Sequence, residues 1–145
     1  MTPDHYRRLE EAYRTAPCHS TMRPELAVGD GCATVRLEVR PDMFHAMNAV
    51  HGSFYFKLLD DAAFFAANSV VTETFVLTVS FNVQFLRPIA SGMLIAEGCL
   101  RKNGNLLFAD SALTDAAGSE LARGAGVFAR GRHVIPSRAE PWGRG

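Results

Sequence analysis

The sequence has few cysteines and no long apolar run, and each absence excludes a class of protein. Its three cysteines, Cys18, Cys32 and Cys99, form no Cys-x-x-Cys pair, which argues against a disulfide framework and against a zinc site. No stretch reaches the roughly 18 apolar residues of a membrane span. The N-terminus runs directly into polar residues and lacks the apolar segment of a signal peptide. We therefore expect a soluble, cytoplasmic protein that binds no metal.

An excess of charge of one sign is also missing. Lys and Arg together number 15, as do Asp and Glu, so the formal net charge is zero. A nucleic-acid-binding protein usually shows a basic excess or a clustered basic patch. We therefore expect neither nucleic acid nor a membrane as a partner.

Chain length and hydrophobic content are those of one globular domain. The 145 residues, 48% of them hydrophobic, suffice to bury a single core. No repeat and no linker divides the chain. We predict one domain over residues 1–131, with an N-terminal helix at about 3–16. A flexible tail is predicted over residues 132–145, which are rich in proline, arginine and glycine.

The hydrophobic pattern predicts a helix, a hairpin, a long buried helix and a series of antiparallel strands. The buried helix, at about 52–69, is apolar nearly all round its axis. The order of elements predicts an α+β fold, in which a long central helix is wrapped by a curved antiparallel sheet of five to six strands. Pairing with a second subunit is one way to cover the sheet surface that the helix leaves open. The predicted strands are 25–28, 32–39, 73–86, 93–102, 105–114 and 119–130.

Two adjacent aspartates, Asp60 and Asp61, interrupt the apolar helix. A buried carboxylate is costly unless it is paired, and perturbed carboxylates are frequent at functional sites. Lys57 precedes them by three and four residues and is able to pair with either. We expect Lys57 and Asp61 to form a solvated ion pair at the helix edge. For Asp60, residue type alone leaves a structural and a functional role open.

His51-Gly52-Ser53 stands where a loop meets this helix. The first N–H groups of a helix lack internal partners, and the helix dipole places partial positive charge there. A glycine lets a ligand approach the backbone closely, so this helix start suits an oxyanion or a polarised carbonyl oxygen. His51 is a candidate for a further hydrogen bond to the ligand. The alternative is that Gly52 only makes a tight turn and Ser53 caps the helix.

The strand at 73–86 alternates between apolar and polar residues, with Thr78, Ser80 and Asn82 on the polar side. One face of such a strand packs on a core. The polar strip is a candidate site feature, and simple exposure to solvent is the alternative. Cys99, with no histidine or helix start near it, is predicted to be a core cysteine.

Taken together, these segments resemble the phenylacetate-degradation (PaaI-type) branch of the hotdog-fold acyl-CoA thioesterases, in the 4-hydroxybenzoyl-CoA thioesterase-like superfamily. The similarity spans roughly residues 33–130, with order and spacing intact. It is carried by His51-Gly52, Leu58-Leu59-Asp60, Ala66-Ala67-Asn68-Ser69, Thr78-Val79-Ser80-Phe81-Asn82 and Phe85-Leu86-Arg87-Pro88.

The resemblance implies hydrolysis of an acyl-CoA thioester. Asp60, nine residues after His51, is implied as the catalytic carboxylate, acting as general base or as nucleophile. The Gly52 N–H is implied as the oxyanion donor, and His51 as a contact to the thioester. Thr78 is implied as a hydroxyl residue, contributed by the partner subunit, that orients the attacking water. Coenzyme A is then part of the substrate, no separate cofactor is expected, and the assembly is a homodimer or a dimer of dimers.

The sequence departs from the family pattern at two places. Ser53 stands where a second glycine is usual, and His45 replaces an amide residue six positions before His51, with Asn48 nearby. His45 and Asn48 are both candidates to replace that amide, and the alternative is that the substrate is held differently. The predicted substrate-binding residues are Ser53, His45, Asn48, Asn68, Ser80 and Asn82.

Two other functions remain open at this point. A hotdog hydratase usually needs a paired Asp and His on the helix, and no histidine occurs between Gly52 and Arg132. A non-catalytic acyl-CoA-binding or regulatory domain is the other alternative, which an intact Asp60 disfavours. The acyl group is predicted to be small or medium, and the phenylalanines of the helix favour an apolar or aromatic one unless they only pack the core. These are Phe54, Phe56, Phe64 and Phe65.

Overall fold

The central helix is apolar on nearly every side, and the sheet is built around it. A computed structural model describes residues 3–136 of the chain. The helices are α1 (Pro3–Arg14) and α2 (Gly52–Asn68), with short 3-10 turns at Pro17–His19 and Pro41–Met43. The strands are β1 (Glu25–Gly29), β2 (Cys32–Glu38), β3 (Thr74–Phe85), β4 (Met93–Asn103), β5 (Leu106–Thr114) and β6 (Glu120–Val134).

All six strands form one curved antiparallel sheet in the order β1-β2-β4-β5-β6-β3. The inward positions of β2, β4 and β5 alternate with exposed ones, and they pack on the buried face of α2. Gly98 allows β4 to lie close against α2, because a Cβ at this position would lie 2.1 Å from the carbonyl oxygen of Ala62 in α2. These features confirm the predicted α+β architecture and the buried helix, and the sheet has six of the predicted five to six strands.

Helix α1 packs against α2 and β1 with its apolar side, which the spacing of apolar residues in the sequence predicts. Leu9 and Tyr13 are buried, and the Tyr13 ring meets the Phe65 ring of α2 edge-on at 5.2 Å between centroids. The helix ends at Arg14, two residues earlier than predicted, and Pro17 follows at the start of a 3-10 turn. No helix within residues 3–136 is long and apolar enough to cross a membrane.

The boundary predicted for the C-terminal tail is wrong over its first residues. Strand β6 continues to Val134, and Ile135 is buried while its N–H donates to the carbonyl of Glu73 at 3.1 Å. Pairing with β3 therefore holds the chain beyond residue 131. The rest of the predicted tail, 137–145, lies outside the described residues.

Cys99 is exposed, as are Cys18 and Cys32, so the prediction of a core cysteine is wrong. On β4 the inward positions fall at Leu94, Ala96 and Gly98, and Cys99 has the opposite parity. The preference of free cysteine for the interior was outweighed by the strand register.

Candidate active site

Helix α2 begins with His51 as its capping residue. The backbone of His51 is extended (φ −65°, ψ 140°), and its Nδ1 accepts a hydrogen bond from the Ser53 N–H at 3.0 Å. The Ser53 hydroxyl lies 2.8 Å from the same Nδ1. Because Nδ1 is an acceptor, the neutral ring carries its proton on Nε2, which leaves Nε2 to donate to a ligand. The alternative in which Ser53 caps the helix is therefore wrong.

Gly52 is the first residue of α2, and within residues 3–136 no acceptor is found for its N–H. A Cβ at this position would lie 2.9 Å from Cε1 of Phe85, so the glycine leaves room for the Phe85 ring at the helix start. The N–H stands at the positive end of the helix dipole. It opens on a groove of about 310 Å³ lined by His45, Val50, Tyr55, Phe85, Leu86, Arg87 and Pro88.

A tight turn holds His45 beside this groove. The His45 N–H donates to the Ala49 carbonyl at 2.9 Å, and the Asn48 N–H donates to the His45 carbonyl at 3.0 Å. Asn48 adopts a left-handed backbone (φ 62°), a conformation that asparagine tolerates better than most residues. The His45 ring lies 6.4 Å from the His51 ring. Of the two predicted replacements for the family amide, His45 lines the groove and Asn48 does not.

Asp60 lies at the middle of the helix, and its carboxylate accepts a hydrogen bond from the Thr78 hydroxyl at 3.0 Å. Burial, with a smaller contribution from the neighbouring Asp61, raises the pKa of Asp60 to about 6, while the Thr78 hydrogen bond and Lys57 act to lower it. A carboxylate with a pKa close to neutrality is matched to general-base chemistry. Thr78 belongs to the same chain as Asp60, so the expectation that the partner subunit supplies this hydroxyl is wrong for Thr78.

The predicted polar strip of Thr78, Ser80 and Asn82 is split between two faces of the sheet. Thr78 pairs with Phe128 in β6, but the register shifts between Thr78 and Ser80, so that Ser80 pairs with Val127 and Asn82 with Ala125. One extra residue in a strand reverses which face its side chains point to. Thr78 therefore faces α2, while Ser80 and Asn82 face the other side of the sheet.

Asn68 is fully buried, which contradicts its predicted contact with substrate. Its amide nitrogen donates to the carbonyls of Val71 and Thr74 at 3.0 and 3.1 Å. Its amide oxygen accepts from the Val76 N–H at 2.8 Å. These bonds use both N–H donors and the oxygen of the amide, so Asn68 ties the end of α2 to the start of β3.

Asp61 belongs to a separate polar group on the α1 side of the helix. It pairs with Lys57 at 2.8 Å, as predicted, but it also accepts from the Tyr13 hydroxyl at 2.7 Å. The prediction that this ion pair is solvated is wrong, because only 17% of the Asp61 side chain is exposed. Burial raises the pKa of Tyr13, and Asp61 adds to the rise. Tyr13 is the residue that sequence reasoning missed, since nothing in the local pattern links it to position 61.

Asp60 and Thr78 open on a cavity of about 460 Å³ between α1, α2 and β3, here called the α1 cavity. Most of its surface is apolar, with aromatic rings from Phe64, Phe65 and Phe75. The remaining lining residues are Ala12, Tyr13, Ala16, Pro17, Cys18, His19, Lys57, Asp61, Val76, Leu77 and His133. Within residues 3–136 no cluster of three or more His, Cys, Asp or Glu side chains is placed to hold a metal ion.

Gly52 and Asp60 are eight residues apart on one helix, which separates them by about 12 Å along its axis. A reacting carbonyl needs its oxyanion donor and its attacking group within about 3 Å each. The axial separation of about 12 Å is longer than the span of one carbonyl with two direct contacts of about 3 Å.

Residues 47–108 match the model of the thioesterase superfamily, whereas a search of curated proteins finds no match. The PaaI protein of E. coli, from the phenylacetic acid degradation operon, superimposes with a TM-score of 0.82 at 22% identity, over 91% of this chain and 96% of that one.

Two further solved structures are similar. A thioesterase from Haemophilus influenzae has a TM-score of 0.77 at 14% identity, covering 93% of this chain and 94% of that one. A phenylacetic acid degradation-related protein from Ralstonia eutropha has a TM-score of 0.74 at 18% identity, covering 86% and 98%. The chain has the hotdog fold of these structures, and its residues 47–108 match the thioesterase superfamily.

Proposed function

We propose that the protein hydrolyses the thioester of an acyl-CoA. The observation that carries the proposal is Asp60, a half-buried carboxylate with a pKa raised to about 6, anchored by Thr78 at the mouth of an apolar cavity. An anionic base beside an apolar cavity suits a substrate that joins an apolar acyl group to a polar leaving group.

The distance between Gly52 and Asp60 supports a site shared by two copies of the chain. In this arrangement Gly52 of one copy polarises the carbonyl that Asp60 of the other copy attacks. The edge strand β3 carries exposed apolar residues, including Leu77 and Val79, which are 51% and 59% exposed. Since an exposed apolar edge strand is a surface for pairing, we propose a homodimer through β3; a dimer of dimers is the larger form of the same assembly.

In the proposed complex the acyl group occupies the α1 cavity and the thioester carbonyl points to the Gly52 groove of the partner copy. There the Gly52 N–H and the Nε2–H of His51 donate to the carbonyl oxygen. The aromatic lining of the cavity favours a small or medium acyl group that is apolar or aromatic. Coenzyme A leaves as the thiol product, and the proposal needs no separate cofactor.

Two routes lead from this geometry to hydrolysis. In the first, Asp60 takes a proton from water, the hydroxide adds to the carbonyl carbon, and the C–S bond breaks as the leaving sulfur receives that proton. In the second, the Asp60 carboxylate attacks the carbonyl and forms a mixed anhydride, which water then cleaves. A single turnover in ¹⁸O-water distinguishes the routes when water attacks the Asp60 side of the anhydride, because the label then enters the Asp60 carboxylate and the released acid is unlabelled. The first route instead places one ¹⁸O in the released acid and none in Asp60, so label in Asp60 identifies the second route.

The test is a panel of aliphatic and aromatic acyl-CoAs with detection of the released thiol. Asp60→Asn is expected to lower kcat by at least 10²-fold, in the range known for loss of a positioned base. The neighbouring Asp61→Asn is the matched control and keeps most of the activity. Full activity of Asp60→Asn would overturn the role of Asp60. Binding without turnover across the panel would instead identify a non-catalytic acyl-CoA-binding protein.

The shared site has its own test by complementation. Asp60→Asn and a Gly52→Pro variant, which lacks the N–H, are each expected to be inactive as homodimers. Co-expressed, they form a heterodimer in which one of the two sites contains both the native Asp60 and the native Gly52, so activity returns. If both groups acted within one chain, no mixture would recover activity.

The cytoplasmic location stays a prediction.

A further inference from the structure

Cys32 and Cys99, far apart in the chain, lie directly opposite each other in the sheet. Strand β2 pairs with β4 in a register that makes them Cα partners, and both are exposed. Neither belongs to the proposed active site: they lie on the face of the sheet that points away from α2, since Ala33 and Gly98 beside them are the buried, inward residues.

The hydrogen-bond pattern shows which kind of pair they form. The Leu100 N–H donates to the Gly31 carbonyl and the Val39 N–H to the Gly92 carbonyl, each at 2.8 Å. Hydrogen-bonded and non-hydrogen-bonded pairs alternate along an antiparallel ladder, so the next pair, Cys32 with Cys99, is non-hydrogen-bonded. The Cα atoms of such a pair are about 4.5 Å apart, within the range of about 4.4–6.8 Å that a disulfide spans.

We propose that Cys32 and Cys99 are a redox modification site that closes to a cross-strand disulfide. Both thiols are reduced in the structure. The Cys32 sulfur lies over Gly29, 2.9 Å from where a Cβ of that residue would be, and the Cys99 sulfur lies 3.7 Å from the Leu100 carbonyl oxygen. Rotation about χ1 turns the two sulfurs towards each other, and exposed side chains make such rotations within picoseconds to nanoseconds.

The oxidant is a low-molecular-weight disulfide such as oxidised glutathione. One cysteine thiolate attacks a sulfur of that disulfide, a mixed disulfide forms and one small thiolate leaves. The second cysteine thiolate then attacks the protein sulfur, the Cys32–Cys99 bond forms and the second small thiolate leaves. Two electrons pass from the cysteines to the small disulfide, and the two cysteine protons end on the released thiols. In a reducing compartment such a bond forms only transiently, when the glutathione pool becomes oxidised.

The cross-link encloses the whole of α2 and β3, and with them His51, Gly52, Asp60 and Thr78. A disulfide that closes a long loop restricts the unfolded chain. We expect the oxidised protein to unfold at a temperature roughly 10 °C higher than the reduced protein. This inference does not depend on the proposed hydrolase activity.

The experiment equilibrates the protein with glutathione buffers of increasing oxidised fraction, then alkylates free thiols and maps the peptides by mass spectrometry. The expected product is a chain with no disulfide to a second chain, lighter by two hydrogens than the reduced chain. It contains a Cys32–Cys99 linked peptide pair and has a higher melting temperature. Cys18→Ser is the matched control and forms the same bond, whereas Cys32→Ser and Cys99→Ser do not. Glutathione adducts alone, a bond that involves Cys18, or disulfide-linked chains would each overturn the proposal.

Discussion

The Thr78 hydroxyl donates to Oδ1 of Asp60 at 3.0 Å. Thr78 lies in the edge strand β3 and Asp60 in the central helix α2, so the sheet anchors the carboxylate that the helix carries. The bond favours the ionised form of Asp60, while burial favours the neutral form and raises the pKa to about 6. The balance between the two leaves a carboxylate that is ionised at neutral pH yet basic enough to accept a proton.

Thr78→Val tests this balance through the pH profile. Since the active form is ionised, kcat/KM of the native protein is expected to fall about tenfold per pH unit below about pH 6. Loss of the hydroxyl raises the pKa of Asp60, so the acidic limb moves to higher pH and the rate at pH 6 falls. Thr78→Ser keeps the donor and keeps the native profile. An unchanged acidic limb in Thr78→Val would contradict the proposed role.

Asp60→Asn is expected to stabilise the folded protein. The folded pKa, about 6, lies above the ordinary value of 3.8, so ionisation costs stability as pH rises from about 4 to 6, and the cost persists at pH 7. Removing the charge recovers on the order of 1–3 kcal/mol in urea unfolding at pH 7, and almost none at pH 3.

Asp61→Asn is the contrasting variant. It weakens the hydrogen bond from Tyr13 and the ion pair with Lys57, and we expect it to lower the free energy of unfolding by about 1–3 kcal/mol. Equal effects of the two substitutions on stability would show that the two aspartates do not differ in environment.

Gly52→Pro removes the N–H that we assign to the oxyanion. Proline is tolerated at the first position of a helix, and the extended backbone of His51 (φ −65°, ψ 140°) suits a residue before proline. Gly52→Ala introduces the same Cβ beside Phe85 but keeps the N–H. We expect kcat of Gly52→Pro to lie about 10²–10³-fold below that of Gly52→Ala. Equal rates would exclude the Gly52 N–H as the donor.

Asn68→Ala is expected to affect stability but not substrate affinity. It leaves the buried Val76 N–H without its acceptor, and the loss of a satisfied buried amide costs about 2–4 kcal/mol. Chemical denaturation measures this loss, and acyl-CoA titration at a temperature where the variant is folded measures affinity. A large rise in KM with unchanged stability would restore the substrate role predicted from the sequence.

Sequence reasoning placed Asp60 correctly on a buried helix and Gly52 at the start of that helix, because both statements depend on residues close together in the chain. It grouped Thr78 with Ser80 and Asn82 because strict alternation assigns them to one face. The bulge after Thr78 shifts the register by one residue, and an irregularity of this kind leaves no mark in a hydrophobic pattern.

The sequence by itself determined the order of helices and strands, the apolar character of α2 and the polar groups on it, since periodicity and helix-start chemistry are local properties. Only the tertiary structure decided which distant residues meet: Thr78 with Asp60, Tyr13 with Asp61, and Cys32 with Cys99. Strand register and helix packing set these contacts, and they follow from the fit of the whole core.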